Sequence, residues 1–216
     1  MSEPEIIQLP VGMFIVNTYI VVCPKTGEAV VIDPAGDEAM LAETIRERGC
    51  TPRYILNTHG HLDHLAGNRD LAELLGVPCA MHRADNEFFQ SEDGVRAAEK
   101  ELGLFAPDPA DVELEDGQVI EVGTLRIEVV HTPGHTPGSV CYRVGDNLFT
   151  GDTLFVGAAG RTDLTGGDLM TLVESVKTRI ATLPDHTVIW PGHDYGDTPT
   201  STVGREKEEN PFITDF

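Results

Sequence analysis

The chain has 216 residues, with 36 acidic against 15 basic side chains and a formal charge of -21. That length is enough to bury a sizeable core, and 40% hydrophobic content excludes wholesale disorder. A field of this sign repels polyanions and anionic membrane surfaces, so nucleic acid and membrane are excluded as partners. The longest apolar run, residues 11–23, is broken by Asn17 and Thr18 and is too short to cross a bilayer. No basic leader precedes it, which points to a cytoplasmic protein.

Cys23, Cys50, Cys79 and Cys141 lie far apart, with no C-x-x-C spacing. Three of them stand in apolar, strand-like stretches, as buried reduced thiols do.

Residues 14–23 and 28–33 read as strands joined by the turn Pro24-Lys25-Thr26-Gly27. Met40, Leu41, Thr44 and Ile45 make one face of a helix over 38–48, ended by Gly49. A short strand over 53–57 leads into a loop of histidines. Residues 65–75 return to helix, closed by Gly76, and 78–82 to strand. The stretch 85–121 starts helical and loosens around Pro107 and Pro109. It carries 12 acidic and 2 basic residues and reads as a solvated face or lid. Strands follow at 119–122, 125–131, 139–144 and 147–150. A helix over 168–183, capped by Asp168, precedes a last strand at 187–190. This order suits an α+β chain with two sheets flanked by helices better than one alternating parallel sheet. Nothing marks a linker or repeat, so residues 1–216 are expected to form a single domain.

Thr58-His59-Gly60-His61-Leu62-Asp63-His64 packs four candidate metal ligands into six positions. Composition alone produces H-x-H-x-D-H roughly 0.001 times in such a chain. In an extended loop, His59 and His61 point the same way and can share one metal. Asp63 and His64, opening a helix, turn toward a second position. Three further segments end strands with ligand types: His131 to His135 with its Pro/Gly loop, Leu148 to Asp152, and Val188 to His193. Loops beyond strand ends commonly carry function on a rigid scaffold. Five histidines with Asp63 and Asp152 suit two borderline ions such as zinc, with no cysteine required.

These pieces resemble the metallo-β-lactamase superfamily. T-H-G-H-L-D-H, G-H-T-P-G-S, F-T-G-D-T-L-F and P-G-H-D stand in that family's order over nearly the whole chain. The resemblance implies a four-layer αββα sandwich with two divalent ions at one edge between the sheets. It places His59, His61 and His135 on the first ion and Asp63, His64 and His193 on the second, with Asp152 bridging. Zinc is expected, with iron(II) and manganese(II) as alternatives. Within the superfamily the chain looks glyoxalase II-like: Gly151-Asp152-Thr153-Leu154-Phe155, Gly160-Arg161-Thr162-Asp163 and the tail from Glu206 to Phe212 carry that likeness. Full-length glyoxalase II enzymes add a C-terminal helical domain with basic residues for glutathione, and this chain ends before it.

The activity so implied is hydrolysis of a small thioester such as S-lactoylglutathione by hydroxide held between two ions about 3.5–4 Å apart. Asp63 would orient that nucleophile, and a thiolate of pKa about 8.5 departs without a strong general acid. The rival is a persulfide dioxygenase-like iron enzyme using His59, His135 and Asp152 alone. It shares the G-R-T-D and H-D-Y segments, while Gly192 and Leu164 favour the hydrolase. Arg161 and Tyr195 are candidate substrate contacts, set against an Arg161–Asp163 ion pair and a packed tyrosine. His131 and Asp33 are candidates for supporting a ligand, whereas His82 and His186 lack a ligand-like context.

Overall fold

Tyr19 and Val21 face one side of their strand while Ile20 and Val22 face the other, and all four are buried. A strand covered on both faces needs layers on both sides of its sheet. The computed structural model describes residues 3–101 and 106–216 and supplies those layers. The first sheet runs β1 (Glu5–Val11), β2 (Val16–Val22), β3 (Glu28–Ile32), β4 (Thr51–Leu56), β5 (Cys79–His82) and β6 (Val112–Leu114) in spatial order. The second contains β7 (Val119–Val122), β8 (Leu125–His131), β9 (Val140–Val144), β10 (Asn147–Gly151), β13 (Val188–Pro191) and β14 (Ser201–Thr202). Its spatial order is β14-β13-β10-β9-β8-β7, and β11 (Leu154–Phe155) pairs with β12 (Ala158–Ala159) in a separate ribbon.

Tyr19, Ile32 and Leu56 of the first sheet pack against Ile127, Tyr142 and Phe149 of the second. Outside the first sheet lie α1 (Glu38–Glu47) and α3 (Asn68–Leu75), which bury Leu41, Ile45 and Leu71 on Ile20, Val31 and Ile55. Outside the second lies α6 (Leu169–Ser175), continued as a π turn over Val176–Ile180. Val176 and Ile180 there cover Cys141, Leu148 and Ile189. The architecture is the expected αββα sandwich. The N-terminal anchor of α6 is the expected one, with Asp168 Oδ1 accepting from Thr171 N–H at 2.7 Å. All four cysteines are free, and Cys23, Cys79 and Cys141 are buried.

The differences from the expected elements have physical causes. β1 is an edge strand with one partner and carries Pro10, so it shows no strong apolar alternation. The strand expected from residue 14 begins at Val16. Met13, Phe14 and Ile15 form an exposed hairpin tip, with Ile15 held at φ 54°. The helix expected over 65–75 is broken into α2 (Leu62–Leu65) and α3. At the break, Gly67 N–H donates to Pro34 O at 2.8 Å, and a Cβ on Gly67 would lie 2.7 Å from that oxygen. The acidic stretch contains α4 (Arg83–Gln90), α5 (Glu92–Glu101) and β6; its residues 102–105 lie outside the described residues. It is not solvated throughout, because Asp85 is fully buried. The tail forms α7 (Val203–Glu209) and α8 (Pro211–Thr214). Among the described residues no helix is long and apolar enough to cross a membrane.

β3 to β6 run parallel, as do β10 and β13. The loops leaving β3, β4, β8, β10 and β13 therefore gather at one edge of the sandwich. Hydrogen bonds between the sheets hold that edge together. Tyr19 OH donates to Pro191 O at 2.6 Å, and Tyr142 OH to Asn57 O at 2.7 Å.

Candidate metal centre

The histidine loop begins where β4 ends. Asp33, just past β3, accepts from Thr58 N–H at 2.8 Å and Thr58 Oγ1 at 2.6 Å, which fixes the first turn of the loop. Gly60 allows the next turn, since a Cβ there would strike the Phe89 ring at 2.1 Å. Asp63 and His64 follow on α2. His135 comes from the loop after β8, Asp152 from the end of β10 and His193 from the end of β13.

All seven expected ligands meet at this edge. His59, His61 and His135 form one group of donor atoms mutually within 4.8 Å, and Asp63, His64 and His193 form another. His61 Nδ1 stands 3.0 Å from His135 Nε2, and His64 Nε2 stands 3.3 Å from His193 Nε2. Asp152 lies between the groups. Its Oδ1 is 3.3 Å from His64 Nε2, and its Oδ2 is 3.6 Å from His193 Nε2 and 3.7 Å from His135 Nε2. Tetrahedral ions with bonds of about 2.0–2.2 Å place their donors roughly this far apart. His59 Nε2 and Asp152 Oδ1 are buried with no hydrogen-bond partner, an arrangement that a bound cation would satisfy. The donor set therefore fits divalent ions.

The outer nitrogens are tied down. His135 Nδ1 donates to Arg161 O at 2.7 Å, which leaves its Nε2 lone pair facing the centre. His64 Nδ1 meets Asp33 Oδ2 at 3.0 Å and is oriented the same way. Asp33 thus supports His64 and the loop, and its oxygens are already engaged by Thr58 and His64. Burial, then the neighbouring imidazoles, hold His59 well below the usual histidine range. Burial and His135 do the same to His61, and burial alone leads for His193. These three rings are neutral donors at pH 7. At His64 burial opposes protonation, yet Asp152 and Asp33 outweigh it and push the ring well above the usual range. Burial opposes ionisation of Asp152, but His64, His135 and His193 pull its carboxyl far down.

A cavity of about 390 Å³ opens onto the ligands, and Phe14, Phe155, Leu164 and Tyr195 form its apolar walls. Tyr195 is 67% exposed, stacks on His193 at 5.0 Å and 11°, and stands edge-on to Phe155. Arg161 also lines the cavity, with its guanidinium paired to Asp163 at 2.7 and 2.9 Å. His131 does not approach the ligand atoms. It stacks on His82 at 4.1 Å and donates from Nε2 to Pro137 O at 2.9 Å, steadying the loop of His135. His186 is exposed and pairs with Asp146.

Three contributors escape sequence reasoning. Phe14 reads as the start of a strand but hangs over the cavity. Glu206 and Asn210 read only as a tail motif, yet both are buried beneath the cavity wall. Asn210 Nδ2 donates to Phe155 O and Ala158 O, and Glu206 accepts from Gly157 N–H at 2.9 Å. A polar pair four residues apart, one on α7 and one just past its end, was the available signal.

Comparison with known proteins agrees with this geometry. A model of the metallo-beta-lactamase superfamily matches residues 11–193. The hydroxyacylglutathione hydrolase GloC of Haemophilus influenzae is 34% identical over 190 residues, covering 86% of this chain and 87% of that one. The mitochondrial persulfide dioxygenase ETHE1 of Bos taurus is 35% identical over 201 residues, covering 91% of this chain and 71% of that one. The crystal structure of TTHA1623 in a di-iron-bound form shares 35% identity at a TM-score of 0.80, covering 95% of this chain and 99% of that one. With its two sheets, its convergent histidines and this match over most of its length, the chain belongs to the metallo-beta-lactamase superfamily.

Proposed function

We propose that this protein is a dinuclear metal-dependent thioesterase of the glyoxalase II kind, acting in the cytoplasm on a small thioester. The observation that carries the reading is the space at Gly192. Only a residue without a Cβ lets Asp152 Oδ1 and His64 Cε1 approach there, since a Cβ would fall 2.5 and 2.9 Å from them. That crowding sets Asp152 against the second ligand group, which a mononuclear oxygenase does not need. The likeness to GloC and the di-iron form of TTHA1623 support the same reading.

Two bound divalent ions supply a water acidified to near neutral pH and a Lewis acid for the acyl oxygen. The chain's own groups do the rest. Asp63, with 21% of its side chain exposed, is the more open of the two carboxylates and would orient that water and hold its proton. Phe14, Phe155 and Tyr195 receive the apolar part of the substrate. Among the described residues the lining includes no Ser, Thr or Cys, so an acyl intermediate of the serine, threonine or cysteine type has no nucleophile there. A thiolate leaves unaided because its pKa of about 8.5 is low.

Metal analysis with two assays tests the proposal. Two zinc atoms per chain and turnover of S-lactoylglutathione are expected. One iron per chain, with oxygen uptake on glutathione persulfide and no thioester cleavage, overturns it. Phe14→Ala is expected to raise KM roughly three- to tenfold with kcat little changed. An apolar contact of about 1 kcal/mol acts on ground and transition states alike. Steady-state kinetics on one thioester read this split, and an unmoved KM removes Phe14 from binding.

A further inference from the structure

Asp85 is a fully buried carboxylate that neither ligand group uses. Its Oδ2 accepts from Gly60 N–H at 2.7 Å and from Thr136 Oγ1 at 2.7 Å, and its Oδ1 accepts from Gly138 N–H at 2.5 Å. Gly60 stands between His59 and His61, and Thr136 follows His135. One side chain from α4 therefore joins the two loops that carry the first ligand group, while none of its hydrogen bonds reaches Asp63, His64 or His193. We propose that Asp85 is a positioning residue for the first metal site, a strap that sets the distance between the His59–His61 loop and the His135 loop.

The surroundings are built for the strap. A Cβ on Gly138 would lie 2.3 Å from Asp85 N, so the absence of a side chain there admits the carboxylate. α4 is held in turn by His82, whose Nδ1 accepts from Ala84 N–H at 3.3 Å. One turn beyond Asp85, Phe89 packs edge-on against His61 at 5.6 Å. A buried carboxylate is costly unless its lone pairs are engaged, and here three donors engage it. Removing it leaves the Gly60 and Gly138 amides unpaired beside the first ligand group and leaves the two loops without their shared acceptor. The inference concerns metal geometry and holds for any substrate.

Stepwise zinc binding to the metal-free chain, measured by competition with a chelator of known affinity, tests the strap. Asp85→Asn is expected to weaken one of the two binding steps about ten- to hundredfold and to move the other less than about threefold, in line with losses at residues that orient metal ligands. The melting temperature of the metal-free variant is recorded alongside. Equal weakening of both steps, or no weakening, overturns the proposal, because a merely structural loss does not select one site. Thr136→Val removes one of the three donors while leaving α4 intact, and it serves if Asp85→Asn does not fold. It is expected to weaken the same single step by a smaller factor, and equal loss at both steps overturns the proposal there too.

Discussion

Asp152→Ala is expected to leave the purified chain with less than about half an ion in total and turnover reduced at least about a thousandfold. The reason is position. Asp152 is the carboxylate that reaches His64, His193 and His135 together, at 3.3 to 3.7 Å, so its loss opens both sites at once. Either remaining group keeps three donors, but His64 also loses one of the three carboxylates that stand 3.0 to 3.8 Å from its ring nitrogens. Metal content by mass spectrometry after purification checks the first half of the result and thioester turnover the second. A variant that keeps two ions disproves the bridging role. The melting temperature of the metal-free form separates this effect from unfolding.

The second large effect is expected from Gly192→Ala, a single added methyl. Gly192 does not sit in the left-handed region, so alanine is compatible with its backbone and the consequence is steric. The new Cβ would lie 2.5 Å from Asp152 Oδ1, 2.9 Å from His64 Cε1 and 3.0 Å from Gly151 C, inside any tolerable contact. Asp152 and His64 must give way, and both serve the second group. The expected outcome is one ion per chain in place of two, with thioester turnover down about a hundredfold and the fold retained. Oxygen uptake on glutathione persulfide belongs in the same experiment, since a chain left with His59, His135 and Asp152 presents the ligand set of the rival oxygenase. Two ions and full turnover in this variant remove Gly192 as the support for a dinuclear centre.

Much of this molecule is legible in its sequence, for identifiable reasons. Strands such as β2 and β3 are covered on both faces and so appear as nearly continuous apolar runs. The ligands sit at strand ends, where a histidine or aspartate interrupts such a run and stands out. What stays hidden depends on tertiary partners. β1 gains its order from seven paired positions with β2 and shows little pattern of its own. Asp85 looks like one more acid in an acidic stretch, and only the approach of Gly60, Thr136 and Gly138 makes it a buried acceptor. Phe14 looks like core until the hairpin turns it outward. Arg161 could pair with Asp163 or meet substrate, and only the structure shows that the local pair forms.

The hydrogen bonds that cross between the sheets carry a consequence for assembly. Tyr19 on β2 reaches Pro191, and Tyr142 on β9 reaches Asn57, while Val140 N–H donates to Thr58 O at 2.8 Å. The two ligand groups thus draw on chain segments 74 and 129 residues apart, brought together only when the halves of the sandwich close. Such high contact order makes closure a slow, late event in folding. Any opening between the sheets parts the ligands, so a weakened Tyr142 contact deep in the core registers as poorer metal retention at the edge.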